Sequence, residues 1–490
     1  MRAVRAADRA KGTQEIEVCI VERIKTDICV IGAGSGGLSV AAGAVQMGAS
    51  VVLLEGHKMG GDCLNYGCVP SKALIAAGKH AHAMTTGAAY GVAPVEPVVD
   101  YAAAMEHVAG VIKGIEPHDS IERFEALGVK VISEYGRFIS PTEVRAGNTI
   151  ITARRFVVST GSSPMVPPIP GLDKVDYLTN ENLFELRERP EHLLVIGGGP
   201  IGMEMAQAHV RLGSKVTVLE GLNVLGHEDP ELATIALEKL RAEGVEIVEG
   251  AMVSEVVGSA GVTVHTSDGA EYRGSHVLIA VGRKPNTDKL DLDKSGIKTN
   301  QHGVIVDSGL KTTNKRVYAI GDVAGGMKFT HVAGYHAGVI IRSALFGLPA
   351  KATDKHIPWA TYTDPEIAHV GMSEAQAIAT YGGKVEVLRF EYAENDRARA
   401  ERNTKGLIKV MVLKGKPIGA SIVGTQAGEL IQTWALVIAN GLKIGAVAAM
   451  VAPYPTLGEI NKRVAGQYYT PRLFENARVK RFVRFVQRFL

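Results

Sequence analysis

The sequence predicts an α/β fold built around two Rossmann-like dinucleotide-binding units. Three observations carry that expectation: a chain of 490 residues with 56 glycines, one glycine fingerprint that occurs twice, and a thiol pair, Cys63 and Cys68, placed just after the first copy. A chain of this length exceeds one ordinary core and favours about three domains. Its apolar fraction of 46% and charged fraction of 21% are those of a globular protein, and the glycines suit many strand-to-helix turns.

The first copy reads Asp27-Ile-Cys-Val-Ile-Gly-Ala-Gly-Ser-Gly-Gly37, a short apolar strand running into Gly32, Gly34 and Gly37. An Ala-rich helical stretch follows, then a strand from Val51 to Leu54 closed by Glu55. The second copy, His192 to Gly202, repeats the pattern with Gly197, Gly199 and Gly202, a helix, the strand Val216 to Leu219 and Glu220. In such a turn the first glycine permits the bend, the second admits a pyrophosphate to the backbone N–H groups, and the third lets helix and strand pack closely. One copy alone is compatible with an ordinary βαβ turn; two copies with equally spaced acids point to two dinucleotides. The acid at each strand end suits a ribose hydroxyl, and Gly221 to Leu225 hold no Arg for a 2′-phosphate, which favours NADH over NADPH.

Residues 61 to 72 read GDCLNYGCVPSK, with Cys63 and Cys68 ahead of a helix that Pro70 can open. A disulfide closing so short a loop would stabilise the fold by only about 2 kcal/mol. A helix N-terminus, in contrast, lowers a thiol pKa and favours the thiolate, so the pair reads as redox-active. A metal pair is the competing reading. No Cys follows Cys68, and His80 and His82 complete no familiar ligand spacing and read as a solvated helix face, so no resident metal is expected.

The four cysteines all fall before residue 69, which is no framework for a disulfide-stapled secreted protein. With no apolar run near the ~18 residues of a membrane span, a cytoplasmic protein is expected. The net charge of +3 argues against a nucleic-acid partner. The first 26 residues read as an N-terminal extension, disordered or a weak targeting segment.

These residues resemble the pyridine nucleotide-disulfide oxidoreductases, a family that includes dihydrolipoamide dehydrogenase, glutathione reductase and mercuric reductase; the CLNYGCVPSK segment is the most specific match. The resemblance implies FAD on the first fingerprint with Glu55, NAD(H) on the second with Glu220, and Thr160-Gly161 as a turn against FAD. It further implies Asp322 at the ribitol, Thr330 beside the flavin, and Lys72 near flavin N5 paired with Glu204. Electrons would pass from NADH through FAD into Cys63–Cys68, leaving Cys68 against the flavin and Cys63 as the interchange thiol. The implied fold class is α/β, with FAD and NAD domains and a C-terminal α+β dimerisation domain in a homodimer.

By the same resemblance the FAD domain comprises residues 27–170 and 291–355, with the nicotinamide domain at 171–290 between them. Gly282-Arg-Lys-Pro-Asn286 makes the crossing back, and Gly282 belongs to the NAD site. Residues 356–470 form the interface domain, in which the charged stretch Glu394 to Lys405 reads as a solvated loop. Residues 471–490 form a basic tail with an amphipathic helix over 477–490, packed on the dimer or in peripheral contact with a membrane.

One departure stands out. Val451 to Glu459 resembles the segment where disulfide-reducing members place a His and, five residues on, a Glu; here those positions are Tyr454 and Glu459. Imidazole titrates near neutrality, whereas a phenol near pKa 10 is a poor base at pH 7, so Tyr454 disfavours dihydrolipoamide as substrate. Tyr at this place is similar to mercuric reductase, yet the C-terminal Cys pair that delivers the ion in that enzyme is absent. The acceptor, a disulfide, quinone or metal ion, stays open, as does a rival reading of the chain as a flavin redox sensor or membrane-docking subunit without turnover.

Overall fold

The computed structural model describes residues 21–259 and 261–490; the expected N-terminal extension therefore lies largely outside the described residues. The strand Glu22–Ile31 starts five residues before Asp27, where the extension was expected to end. It does so because Thr149–Val158 is equally long and offers Glu22 to Thr26 parallel partners from Thr149 to Ala153.

Three sheets carry the molecule. In the first, the parallel strands Lys130–Ile132, Val51–Leu54, Glu22–Ile31 and Thr149–Val158 lie side by side, and Val317–Ala319 joins the last of them in parallel. The antiparallel strands Glu143–Ala146 and Gly136–Ser140 extend its edge. The second sheet is wholly parallel, in the order Val245–Glu249, Lys215–Glu220, His192–Ile196, His276–Ile279. Its residues fall between Val158 and Val317 in the chain, so the nicotinamide unit interrupts the first sheet. Leu193 to Ile196 are all buried, as a parallel strand covered on both faces requires. The antiparallel pair Ser162–Pro164 and Arg283–Pro285 makes the crossing between the units.

The third sheet has five antiparallel strands, in the order Pro358–Thr361, Glu366–Gly371, Lys416–Gly424, Leu407–Leu413, Val385–Glu391. The helices Gln432–Ala439 and Glu459–Gln467 cover it, and the fully buried Trp434 donates its indole N–H to Asn461 Oδ1 at 2.8 Å. Lys409 of this sheet is buried with its ammonium 2.9 Å from Asp229 Oδ2, 2.9 Å from Glu374 Oε2 and 2.7 Å from Glu231 Oε2. Asp229 caps the helix Pro230–Ala242 of the nicotinamide unit, so one buried cation ties that unit to the interface sheet.

Four expectations need correction. The thiol helix starts at Cys68, with Pro70 at its third position, and Cys63 sits in its own short helix, Gly61–Asn65. His80 is exposed, but His82 is half-buried, 3.5 Å from Glu243, and burial lowers its pKa. The stretch Glu394 to Lys405 is not all loop: Asn395 accepts from Ala398 N and caps the helix Asp396–Ala400. The basic tail helix spans Ala477–Val486 and continues only as turns, in which Phe485 O and Val486 O accept from Arg488 N and Phe489 N three residues on.

Candidate active site

Both glycine turns are built alike. Gly32 and Gly197 adopt φ of +101° and +110°, which favour glycine, and a Cβ on either would stand 2.6 Å from the carbonyl oxygen of Ser159 or Ala280. A Cβ on Gly37 would lie 1.9 Å from Gly32 O, and one on Gly202 2.1 Å from Gly197 O, so strand and helix touch only because these residues have no side chain. At Gly34 and Gly199 an added Cβ meets nothing within 4 Å, leaving an open cradle at each helix N-terminus. Glu55 Oε2 accepts from Ala33 N and Glu220 Oε2 from Gly198 N, each at 2.7 Å, which aims both carboxylates along the cradles.

The first cradle opens into a cleft of about 1170 Å³. Glu55, Thr160, Gly161 and Asp322 line it along with Gly32 and Gly34, and Cys63, Cys68, Lys72, Glu204 and Thr330 line it too. Gly161, at φ +67°, leaves open space for a group lying against it, and Thr160 is pinned through its hydroxyl to Asn286 O at 2.7 Å. Acceptor carboxylates, backbone donors and side-chain-free cradles along one cleft fit an FAD molecule.

Cys63 and Cys68 lie close enough that each is the largest influence on the other's thiol. Cys68 is the first residue of the 18-residue helix Cys68–Thr85, at the positive end of its dipole, with Sγ 3.4 Å from Thr330 Oγ1. The hydrogen bond from Cys63 is the largest influence holding the Cys68 thiol down at about 6; burial opposes it, and Thr330 and the Lys72 ammonium assist. The same bond, with burial second, pushes Cys63 up. The pair thus divides into a thiolate, Cys68, and a proton carrier, Cys63.

Lys72, one turn along the same helix, holds Glu204 Oε2 at 2.7 Å and lies over the Tyr362 ring at 4.4 Å. Glu204 is 5% exposed and also accepts from Tyr362 N at 2.9 Å. It stands on Pro200–Arg211, the helix launched by the second cradle, so the nicotinamide unit reaches into the flavin cleft.

Gly282, expected at the nicotinamide site, and Tyr454 and Glu459, expected in catalysis, lie outside this cleft of their own chain. Gly282 is exposed at the crossing and lies outside the cleft lining. Tyr454 is 69% exposed and donates to Asp396 Oδ2 at 3.0 Å, while Glu459 opens a helix and faces Arg463 at 3.9 Å; neither lines the cleft of its own chain. Sequence reasoning passed over Asp62, Asn180 and Arg283. Asp62 Oδ1 accepts from Asn180 Nδ2 and pairs with Arg283 Nη2, both at 3.0 Å, which braces the turn carrying Cys63. Arg283 also binds Ser162, whose hydroxyl donates to Asp322 at 2.5 Å. The signal was present, since Asp62 and Arg283 sit inside two of the segments singled out.

Two dinucleotide cradles converging on a dithiol define a nucleotide-driven disulfide oxidoreductase. The chain belongs to the pyridine nucleotide-disulphide oxidoreductase family, which it matches over residues 26–337, and it matches that family's dimerisation domain over residues 357–465. It is 35% identical to a mercuric reductase of Bacillus cereus over 442 residues, 88% of this chain and 70% of that protein. It is 34% identical to a dihydrolipoyl dehydrogenase of Geobacillus stearothermophilus over 456 residues, 90% of this chain and 96% of that one. Among solved structures, the HOCl-induced flavoprotein disulfide reductase RclA of Escherichia coli superimposes with a TM-score of 0.81 at 28% identity, covering 90% of this chain and 99% of that one. The chain is an FAD-dependent oxidoreductase that uses NAD(P)H and assembles as a homodimer.

Proposed function

We propose that the enzyme takes two electrons from NADH and delivers them through Cys63 and Cys68 to a soft metal ion. Bound FAD supplies the relay between the nicotinamide and sulfur. The Cys63–Cys68 disulfide accepts two electrons and opens to a dithiol, in which Cys68 stays ionised beneath Lys72 and Thr330 and Cys63 keeps the proton. Cys63 then loses that proton to the medium as it captures the ion. Two electrons pass to one Hg(II) ion, or one to each of two Cu(II) ions in turn, and the sulfurs rejoin, with atoms and charge balanced.

The acceptor rests on one observation, at a residue that by the family resemblance reaches this cleft from the partner subunit of the homodimer. Tyr454, where disulfide-reducing relatives carry His, is held above its ordinary pKa by its hydrogen bond to Asp396. Reducing a disulfide acceptor leaves a thiolate that must be protonated, and this phenol is a poor shuttle near pH 7. A reduced metal ion needs no proton. The mercuric reductase relatives and a similar structure described as a Cu(II) complex of RclA support the same class of acceptor.

An anaerobic acceptor screen tests this, following NADH oxidation with Hg(II) and Cu(II) as small-thiol complexes, lipoamide and glutathione disulfide. Metal-dependent turnover is expected to exceed that of either disulfide and to fall to background in Cys63→Ser. Tyr454→His is expected to raise lipoamide turnover roughly tenfold and leave the metal rate unchanged. Faster turnover of lipoamide than of either metal by the unaltered enzyme would overturn the reading.

A further inference from the structure

Residues 477–490 hold five basic side chains, Arg478, Lys480, Arg481, Arg484 and Arg488, and no acidic one. The helix Ala477–Val486 is capped by Asn476, whose side chain accepts from Arg478 N at 2.9 Å. At helical spacing Lys480, Arg481, Arg484 and Arg488 fall on one side, and Val479, Phe482, Val483 and Val486 on the other. None of its residues is buried: Phe482 is 65% exposed, Phe485 58% and Phe489 74%. Arg472 pairs with Glu386 just before the helix, yet among the described residues no ion pair involves residues 478 to 488.

An isolated exposed aromatic is ordinary, but the exposed aromatic stripe Phe482, Phe485 and Phe489 flanking a row of cations marks a surface that awaits a partner. A second copy of the same helix would cover the apolar side but leave the row of cations without counter-charge. An anionic lipid surface satisfies both faces at once, taking the phenylalanines into the headgroup boundary and the guanidinium groups against phosphate. The homodimer carries two such helices.

We propose that residues 477–490 seat the homodimer on an anionic bilayer, with the aromatic stripe inserted at the headgroup level. This goes beyond the electron-transfer reading and does not depend on the acceptor. The test is co-sedimentation of the FAD-loaded dimer with vesicles of phosphatidylcholine alone or with a third phosphatidylglycerol. Three forms are compared: the full chain, a chain ending at Asn476, and the double variant Arg481→Gln/Arg484→Gln. The full chain is expected to pellet at least about tenfold more with the anionic vesicles, a preference lost in both variants and at high salt. NADH oxidation in solution should be equal in all three. Equal pelleting of all forms overturns the proposal. So does a truncated chain that elutes as a monomer, which would assign the helix to the dimer contact instead.

Discussion

In the first dinucleotide unit the helix after the cradle, Ser35–Gln46, reads SGGLSVAAGAVQ and buries only glycines and apolar residues; in the second, Pro200–Arg211 buries Glu204, Gln207, His209 and Arg211 as well. Each of those four has a partner outside its own unit or at its edge. Glu204 meets Lys72, Gln207 accepts from Asp364 N at 2.7 Å, His209 meets Tyr101 at 3.1 Å, and Arg211 binds both Glu243 and Asp364 at 2.7 Å. The turns are interchangeable anion cradles, while the helices are not. The first helix packs through apolar contacts against Thr330–Ile340 of its own unit; the second wires its unit into the flavin cleft and the interface domain.

The sharpest way to break this comparison is to fill each third glycine. Gly37→Ala and Gly202→Ala each drive a methyl into a backbone oxygen, 1.9 Å and 2.1 Å away, where overpacking costs about 1–3 kcal/mol or more. Gly37→Ala is expected to purify with little FAD. Gly202→Ala should keep its yellow colour and respond to dithionite but not to NADH, as flavin absorbance per chain and an anaerobic titration will show. Equal loss of FAD from both would mean that the units do not act separately.

A smaller effect is expected from the second helix itself. Glu204→Gln removes the carboxylate from Lys72 and should slow flavin reduction by NADH roughly tenfold, a modest share of what a positioned ionic group contributes. Ser39→Ala on the exposed face of the first helix should leave the rate within about twofold. Stopped-flow reduction reads both, and equal rates for the two variants would erase the distinction between the helices.

The gentlest probe is pH. Cys68 has its pKa lowered to about 6, so the thiolate is present above that value and is lost as pH falls through it. The long-wavelength absorbance of the NADH-reduced enzyme should therefore fade with a midpoint near 6. In Lys72→Met one of the groups that lowers it is gone, and the midpoint should move upward. A midpoint near the ordinary thiol value in the unaltered enzyme would remove the division of labour between Cys68 and Cys63.

Both cradles were legible in the sequence because their geometry is local: three glycines and an acid at fixed spacing dictate the turn wherever the chain goes. Lys72–Glu204 was reachable only through family resemblance, since 132 residues separate the partners and no periodicity links them. Asp62 and Arg283 escaped for the same reason, each looking unremarkable without the other. Pro70 misplaced the thiol helix start by two residues because proline is tolerated throughout a first turn, where no N–H is required. The strand at Glu22 was missed because its outer half is exposed and lacks the apolar run of its inner half.

Lys409 bears on how substrate enters. Its ammonium is locked among Asp229, Glu231 and Glu374 and acts as a latch across two domains. Swinging the nicotinamide unit outward as a body would strip Asp229 and Glu231 from this buried cation and leave it Glu374 alone, which opposes such a swing. Admission of the reductant therefore falls to side chains at the cleft mouth, where Ile201 is 42% exposed, rather than to a hinge.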